Sequence, residues 1–405
     1  MRVFFPFAYY TPEVAAGIYI IDHILEACAK NGITSYLYVP TPTRNVKPGS
    51  TFKRKEIIYN SVHIKRFRMY GEGKNPILRA LRYLFCEVAQ TYYALFTNYD
   101  VAFLDSTPPI QGLKMILIKW FRRKPIVYNL QDVFPDSLVG AGLAKKDGLL
   151  WKIGRVIENI SYKYSDKIIV ISHDFKHNIM EKGVPEEKIE VVYNWVDEKS
   201  VIPINKDENP LFEEFNISRQ KFNVVYAGNF GNAQNIEVII QCAAQLHEYT
   251  DISFILFGSG GLEQEYRDLT TSLGLTNVTF CPLQPYNKVS YVYSLGDVGI
   301  VSCKKGIGKG AMPSKTWSIM SAGTAVVANY DSGTDLQQII ESNEFGLFSN
   351  AGDVEGLRRD ILKLYNDRDL CRKMGQNARK FIEANLTKEA GTKKIINILK
   401  SVYKD

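Results

Sequence analysis

Short apolar runs alternate with longer stretches in which apolar residues recur at helical spacing, and both halves of the chain show this pattern. In the first half the runs are RVFFPFAYY (2–10), SYLYVP (35–40), VAFLD (101–105), PIVYNL (125–130) and KIIVIS (167–172). In the second they are FNVVYAGN (222–229), ISFILFG (252–258), NVTFCP (277–282), VGIVS (298–302) and TAVVAN (324–329). Continuous apolar strands separated by helices predict parallel sheets covered on both faces. Each half is therefore expected to be a doubly wound α/β domain. The join is expected in DEKSVIPINKDENPLFEEFNISRQ (197–220), which is polar, contains Pro203 and Pro210 and lacks periodicity. That gives an N-terminal domain over 1–200 and a C-terminal domain over 206–385. Ligands of such sheets bind outside the carboxyl ends of the strands, and two such domains facing one another would form a cleft.

Length agrees with two domains, since 405 residues exceed a typical single one. Hydrophobic content of 45% with 23% charged residues is that of an ordinary globular chain with ample core. The six cysteines are scattered, with no Cys-x-x-Cys pair, and read as reduced, buried small apolar residues rather than metal ligands. MRVFFPFAYYTPE is broken by Pro6 and Pro12 and reads as a first strand rather than a signal peptide. No apolar run approaches the ~20 residues that span a bilayer, so a cytoplasmic chain is expected. Charge is uneven: residues 1–200 hold 28 Lys/Arg against 20 Asp/Glu, and the remainder 22 against 23. The excess concentrates in KRK (53–55), HIKRFR (63–68) and WFRRK (120–124). A solvated basic face and an anionic membrane surface both fit this excess. No nucleic-acid motif accompanies it.

Chemistry is sought in the loops that follow strands. After the first strand, Ala15-Ala16-Gly17 is small enough for close backbone approach and precedes a helix in which His23 reads as structural. After the fourth run, YNLQDVFPDSLVGAGL carries Asp132 and Asp136. A carboxylate there could orient or deprotonate a hydroxyl nucleophile, whereas Asp136 also suits a helix cap. In the second half, Gly228 and Gly231 flank Asn229, and Gly258-Ser259-Gly260-Gly261 forms another small-residue loop. The stretch GAMPSKTWSIMSAGTAVVA (310–328) follows, with Pro313 and Ser314 placed to start and cap a helix. Lys304, Lys305, Lys309 and Lys315 lie nearby, and no Asp or Glu occurs from 304 to 329. Small-residue loops converging with lysines at a helix start favour a phosphate-bearing ligand. Trp317 and Met320 read as core.

Taken in order, TPEVAAG, DVFPDSLVGAGL, YSDKIIVIS, VVYNWVD, VVYAGNFGNAQNIE and MPSKTWSIMSAG resemble segments of the family 4 retaining glycosyltransferases, of GT-B fold, in their fucosamine-transferase-like branch. The resemblance implies transfer of a sugar, with retention, from a nucleotide-diphosphate donor, a UDP-sugar being favoured. It implies no metal cofactor, because helix amides and basic side chains carry the diphosphate. It also implies that 386–405 crosses back to the first domain. The donor-binding set it suggests is Gly17, Gly228, Asn229, Gly258, Leu283, Lys309, Gly310, Pro313, Ser314, Lys315 and Ser318. Asp132 becomes the catalytic candidate, with Glu13 and Asp136 on the acceptor side. Two glutamates common in the family are here Gly310 and Ser318, and a common His-Asp pair is Gln131-Asp132. With no evident carboxylate nucleophile, retention points to departure and attack on one face, the leaving diphosphate acting as base.

Many members of the family extend glycans on a polyprenyl-diphosphate carrier at the inner face of a membrane, so a lipid-linked acceptor and peripheral attachment through the basic half are expected. Apolar positions 77, 81, 84, 88, 92 and 95 predict a helix packed by that stripe on the first sheet, or laid in part on a membrane. Two rivals stay open at this stage: a nucleotide-sugar 2-epimerase of the same fold, and a non-catalytic partner protein.

Overall fold

The computed structural model describes residues 1–13, 17–43, 46, 49–71, 76–140 and 144–403. Ala15 and Ala16 of the first small-residue loop lie outside them. The chain divides into two compact units, Met1–Tyr193 with Glu389–Asp405, and Asn194–Lys388.

The first unit runs β1 (Arg2–Pro6), α1 (Ile18–Lys30), β2 (Thr34–Pro40), β3 (Lys55–Ile58), β4 (Val62–Phe67), α2 (Pro76–Phe96) and β5 (Val101–Asp105). It continues with α3 (Gly112–Leu117), β6 (Ile126–Leu130), α4 (Asp136–Gly140), α5 (Leu149–Tyr164), β7 (Lys167–Val170), α6 (His173–Glu181) and β8 (Ile189–Val191). The eight strands are ordered β3-β4-β2-β1-β5-β6-β7-β8, all parallel except β3, which pairs antiparallel with β4. The aromatic and branched residues of β1, β5 and β6 are almost completely buried, as central parallel strands require.

The β3–β4 hairpin is absent from the expected elements, because its charges read as surface clusters. In the structure Val62, Ile64 and Arg66 alternate inward. Arg66 is buried, paired with Glu56, and donates to the carbonyls of Lys53 and Thr11. It is a structural cation.

Helix α2 forms where its periodicity predicts, but its apolar stripe does not pack on the sheet. Leu81, Leu84, Val88 and Tyr92 point outward, while Arg82, Cys86, Glu87 and Gln90 are buried. The polar groups can be internal because they satisfy one another: Lys114 of α3 is completely buried, with its ammonium 2.9 Å from Glu87 Oε2 and 3.0 Å from Gln90 Oε1. Burying a charge is tolerable only when it is paired and hydrogen-bonded in this way.

The second unit contains α7 (Leu211–Glu214), β9 (Phe222–Asn229), α8 (Ile236–Gln245), β10 (Ile252–Ser259), α9 (Glu263–Ser272), β11 (Val278–Pro282) and α10 (Val289–Ser294). Then come β12 (Val298–Ser302), α11 (Lys315–Ser321), β13 (Ala325–Tyr330), α12 (Asp335–Ser342), β14 (Gly346–Asn350), α13 (Val354–Asn366) and α14 (Arg368–Asn385). Its six strands are all parallel, ordered β11-β10-β9-β12-β13-β14. A cluster including Phe222, Tyr226, Phe254, Ile300 and Val327 fills the core beneath α8 and α13.

The join belongs to the second unit from Asn194, earlier than the sequence places it. The amides of Ile202 and Ile204 donate to the hydroxyls of Ser290 and Ser294, each at 3.0 Å. Arg379 donates to the carbonyls of Glu198 (3.0 Å), Val201 (2.9 Å) and Ser321 (2.8 Å). These bonds satisfy backbone that the polar sequence suggested was a free linker. The final helix α15 (Lys388–Val402) returns to the first unit and buries Ile395, Ile396, Ile398 and Leu399.

Candidate functional site

In the second sheet the strand order reverses between β9 and β12, and the loops after these strands meet. Such a switch point is where open α/β sheets bind ligands. Ser302 at the end of β12 donates to the carbonyl of Gln234 (2.7 Å), and the Lys304 amide to that of Ala233 (2.9 Å), tying the two loops together.

Lys315 enters this junction from the first residue of α11. Its ammonium is sealed from water and has no hydrogen-bond partner among the described residues. It lies 3.9 Å from the centroid of the Tyr226 ring, whose electron-rich face offers the cation partial compensation. A β-carbon on Gly228 would come within 2.8 Å of the lysine Nζ, so glycine is what lets the lysine reach the end of β9. Burial pushes the Lys315 pKa down to about 7.

The neighbouring glycines serve a different purpose from the one expected. A side chain at Gly258 would strike the Phe230 ring at 2.4 Å, and one at Gly260 would strike the Phe230 carbonyl oxygen at 2.3 Å. These two residues are small so that the loops after β9 and β10 can pack on Phe230. Asn229 is exposed, and its amide reaches Gln234 at 3.3 Å. Leu283, just past β11, is half exposed. Cys281 is buried, as are the other five cysteines, and all six are free thiols.

The loop before α11 departs from expectation in two ways. Ser314 occupies the first boundary position of the helix, but its hydroxyl makes no capping bond. Its backbone is itself helical there, so the side chain does not fold back over the first amides. The loop also has a carboxylate after all: Asp331, beyond β13, accepts from the amides of Gly306 (2.9 and 2.8 Å) and Gly308 (2.7 Å). Residues 304–329 themselves carry no acid, and the carboxylate comes from outside that segment. Those two amides are thereby taken, while the amides of Ser314 and Lys315 donate to no atom among the described residues. Lys309 and Gly310 are exposed, Pro313 and Ser318 half-buried, and nothing crowds a side chain at Gly310. Trp317 and Met320 are core.

A recess of about 390 Å³ in this unit lies at the opposite, amino edge of the sheet. Lys206 and Arg368 line it, each paired with Asp297, so it offers less to a ligand than the switch point.

In the first unit the order reverses between β1 and β5. A small recess of about 70 Å³ sits there, lined by Tyr9, Ile18, Ile21, Asp105 and Thr107. Asp105 escaped the sequence reading although it ends the VAFLD strand. Its carboxylate accepts from Asn129 (2.8 Å), whose own oxygen accepts from Gln131 (3.0 Å). Burial raises the Asp105 pKa to about 7, against the opposing hydrogen bonds. Its position at a strand end was the available signal.

The remaining predicted residues of this unit are dispersed in role. Gly17 begins α1 in the left-handed region at φ 88°, a conformation glycine adopts without strain. Glu13 is buried and accepts from the Thr43 amide at 2.8 Å, which makes it a loop anchor. Asp136 is the first residue of α4, and its carboxylate turns not to the helix amides but to Lys182 (2.7 Å) and Trp151 (3.1 Å), from which it accepts. Burial alone would raise its pKa, but those partners hold it below the usual carboxylate range. Asp132 reaches solvent, yet desolvation within its loop raises its pKa against a bond from Ser137. Of the candidates, Asp132 is thus the carboxylate still open to a ligand's hydroxyl. No group of three or more His, Cys, Asp or Glu residues that could hold a metal occurs among the described residues.

Residues 19–200 match the family described as Glycosyltransferase Family 4, and residues 207–381 that described as Glycosyl transferases group 1. The chain belongs to the family 4 glycosyltransferases. Among curated proteins it is 27% identical over 275 residues to the putative colanic acid biosynthesis glycosyl transferase WcaI of Escherichia coli, covering 67% of this chain and 66% of that one. It is 26% identical over 264 residues to the probable glycosyltransferase WbjE of Pseudomonas aeruginosa, covering 65% of each. The match thus spans just under two thirds of these relatives. Among solved structures, HepE of Anabaena in complex with UDP superposes with a TM-score of 0.74 at 16% identity, covering 99% of this chain and all of that one. The fold of this chain is GT-B, each unit carrying one doubly wound sheet.

Proposed function

We propose that this chain transfers a sugar, with retention and without a metal, from a nucleotide-diphosphate donor, UDP-sugar being favoured, to a glycan acceptor on a lipid carrier during surface polysaccharide assembly. The carrying observation is Lys315, a buried ammonium with no hydrogen-bond partner among the described residues, at the switch point of the second sheet. A diphosphate oxygen would supply that missing partner. The free amides of Ser314 and Lys315 would add neutral donors beside it, and hydrogen bonds to a charged group contribute about 1.5–3 kcal/mol each. The UDP bound by HepE and the colanic acid named for WcaI support the donor and the pathway class.

In the proposed reaction the bond from the sugar C1 to the diphosphate oxygen breaks. The acceptor hydroxyl forms its bond to C1 on the same face and passes its proton to the departing phosphate. Lys315 stabilises the charge growing on that oxygen, and Asp132 orients the hydroxyl. Calorimetric titration with UDP, GDP and TDP tests the donor assignment. UDP should bind selectively, and Lys315→Ala should abolish binding. Absence of binding to all three nucleotides would refute the donor site.

A further inference from the structure

Two helices of the first unit, α2 and α5, are turned inside out relative to water, and α3 lies between them. On α2 the outward residues include Leu84 and Val88, the latter 61% exposed, and the inward ones include Glu87 and Gln90. On α5 Leu149, Ile153 and Val156 face outward, Leu149 being 78% exposed, while Gly154, Glu158 and Ser161 are buried. Between them α3 packs against both helices. It buries Lys114 and runs on into a π-helical turn that presents Trp120 and Phe121, 65% and 70% exposed. A β-carbon on Gly112 would lie 2.9 Å from the Ile160 side chain, which shows how closely α3 is set against α5. An amphipathic helix in water buries its apolar stripe. Two helices that do the opposite, joined by the exposed Leu113, Trp120 and Phe121 at and beyond α3, present a surface made for an apolar medium.

Charge identifies that medium. The acidic residues of these three helices are Glu87 and Glu158, and both are buried. Arg123, Lys124, Lys152 and Lys163 flank the apolar faces from accessible positions. Aromatic rings together with basic residues, with no exposed carboxylate on the three helices themselves, complement an anionic lipid headgroup layer over hydrocarbon. We infer that the outer face of α2, α3 and α5, with the Trp120–Phe121 turn, seats in the interfacial zone of an anionic bilayer. The inference deepens the lipid-linked acceptor reading by naming the surface and the force. Apolar insertion dominates, and the basic residues assist. The clusters at 53–55 and 63–68 lie at the β3–β4 hairpin, apart from the apolar face of α2, α3 and α5, and Arg66 among them is buried.

Co-sedimentation of the full chain with phosphatidylcholine vesicles, with and without phosphatidylglycerol, tests this, with tryptophan emission recorded in parallel. The chain should bind both, more tightly with phosphatidylglycerol. Trp120 emission should shift to the blue, and high salt should weaken binding without abolishing it. Leu84→Gln, Val88→Gln, Trp120→Gln and Ile153→Gln combined should lower partitioning by about tenfold or more for each large side chain removed. Lys53→Gln, Arg54→Gln and Lys55→Gln combined should leave it unchanged. Absence of vesicle binding by folded, monodisperse chain would overturn the inference. So would a dimer that the apolar variant converts to monomer with vesicle binding intact, which would assign the face to a second copy. Nucleotide titrations on the same preparations keep this failure separate from failure of the donor site.

Discussion

Lys315 shows how one residue can be legible in position and not in state. Its place after Pro-Ser at the start of a helix was readable from sequence, but its burial over Tyr226 was not, because a lysine is ordinarily solvated. Burial pushes its pKa from 10.5 to about 7, so between those values the unfolded chain binds more protons than the folded one. Stability contributed at this position therefore rises with pH across that window, and below pH 7 the fold bears the full cost of a buried charge. Lys315→Met should raise the Tm by a few degrees at pH 6 and less at pH 9, as scanning calorimetry would show, while nucleotide binding is lost. An equal or lower Tm at pH 6 would mean the ammonium is not desolvated. In the native chain, nucleotide binding above pH 7 should take up a proton. Affinity should then fall with rising pH by at most about tenfold per unit. Titrations in two buffers of different ionisation enthalpy measure that uptake. Asp105 is the converse case, missed because a strand-final Asp carries no motif; its elevated pKa arises only when β1, β5 and α1 enclose it.

Among the elements, the ten strands expected from apolar runs all form, because buried parallel strands are written as continuous apolar sequence. The β3–β4 hairpin escaped because charged residues (Lys55, Glu56, Lys65 and Arg66) interrupt its apolar positions, so neither strand reads as a continuous apolar run. For α2, the spacing of apolar residues established a helix but carried no information about which medium the stripe meets. The buried partners of Glu87 and Gln90 come from Lys114, more than twenty residues away, and no local pattern encodes that pairing. Stability measurements can read the inversion directly. Lys114→Ala should cost about 3–5 kcal/mol in denaturant unfolding, since it leaves a buried carboxylate unpaired. Val88→Ser, on the apolar stripe, should change stability by no more than about 0.5 kcal/mol. The reverse ranking would mean that α2 packs on its apolar side.

At the scale of the whole molecule, two α/β units were legible because the strand–helix grammar repeats. Their boundaries were less so, because satisfaction of the join by Ser290, Ser294 and Arg379 is a tertiary fact. The chain passes between the units at two places that lie side by side. Val196 bridges Thr387, and the Lys388 amide donates to Glu198 at 3.0 Å, so the outgoing and returning segments are fastened together within the second unit. Beyond that clasp, α15 lays four aliphatic side chains into the first unit. The last helix therefore stabilises the unit it rejoins and not the one it has just left. Removing residues 389–405 should expose that apolar surface and lower the unfolding transition of the first unit. The second unit keeps its sheet, its core and Lys315, so its transition should still rise on adding UDP. Two resolved transitions in scanning calorimetry, only one of them moved by the truncation and only the other by the nucleotide, would establish this division of labour. A single transition moved by both would show instead that the two units unfold as one.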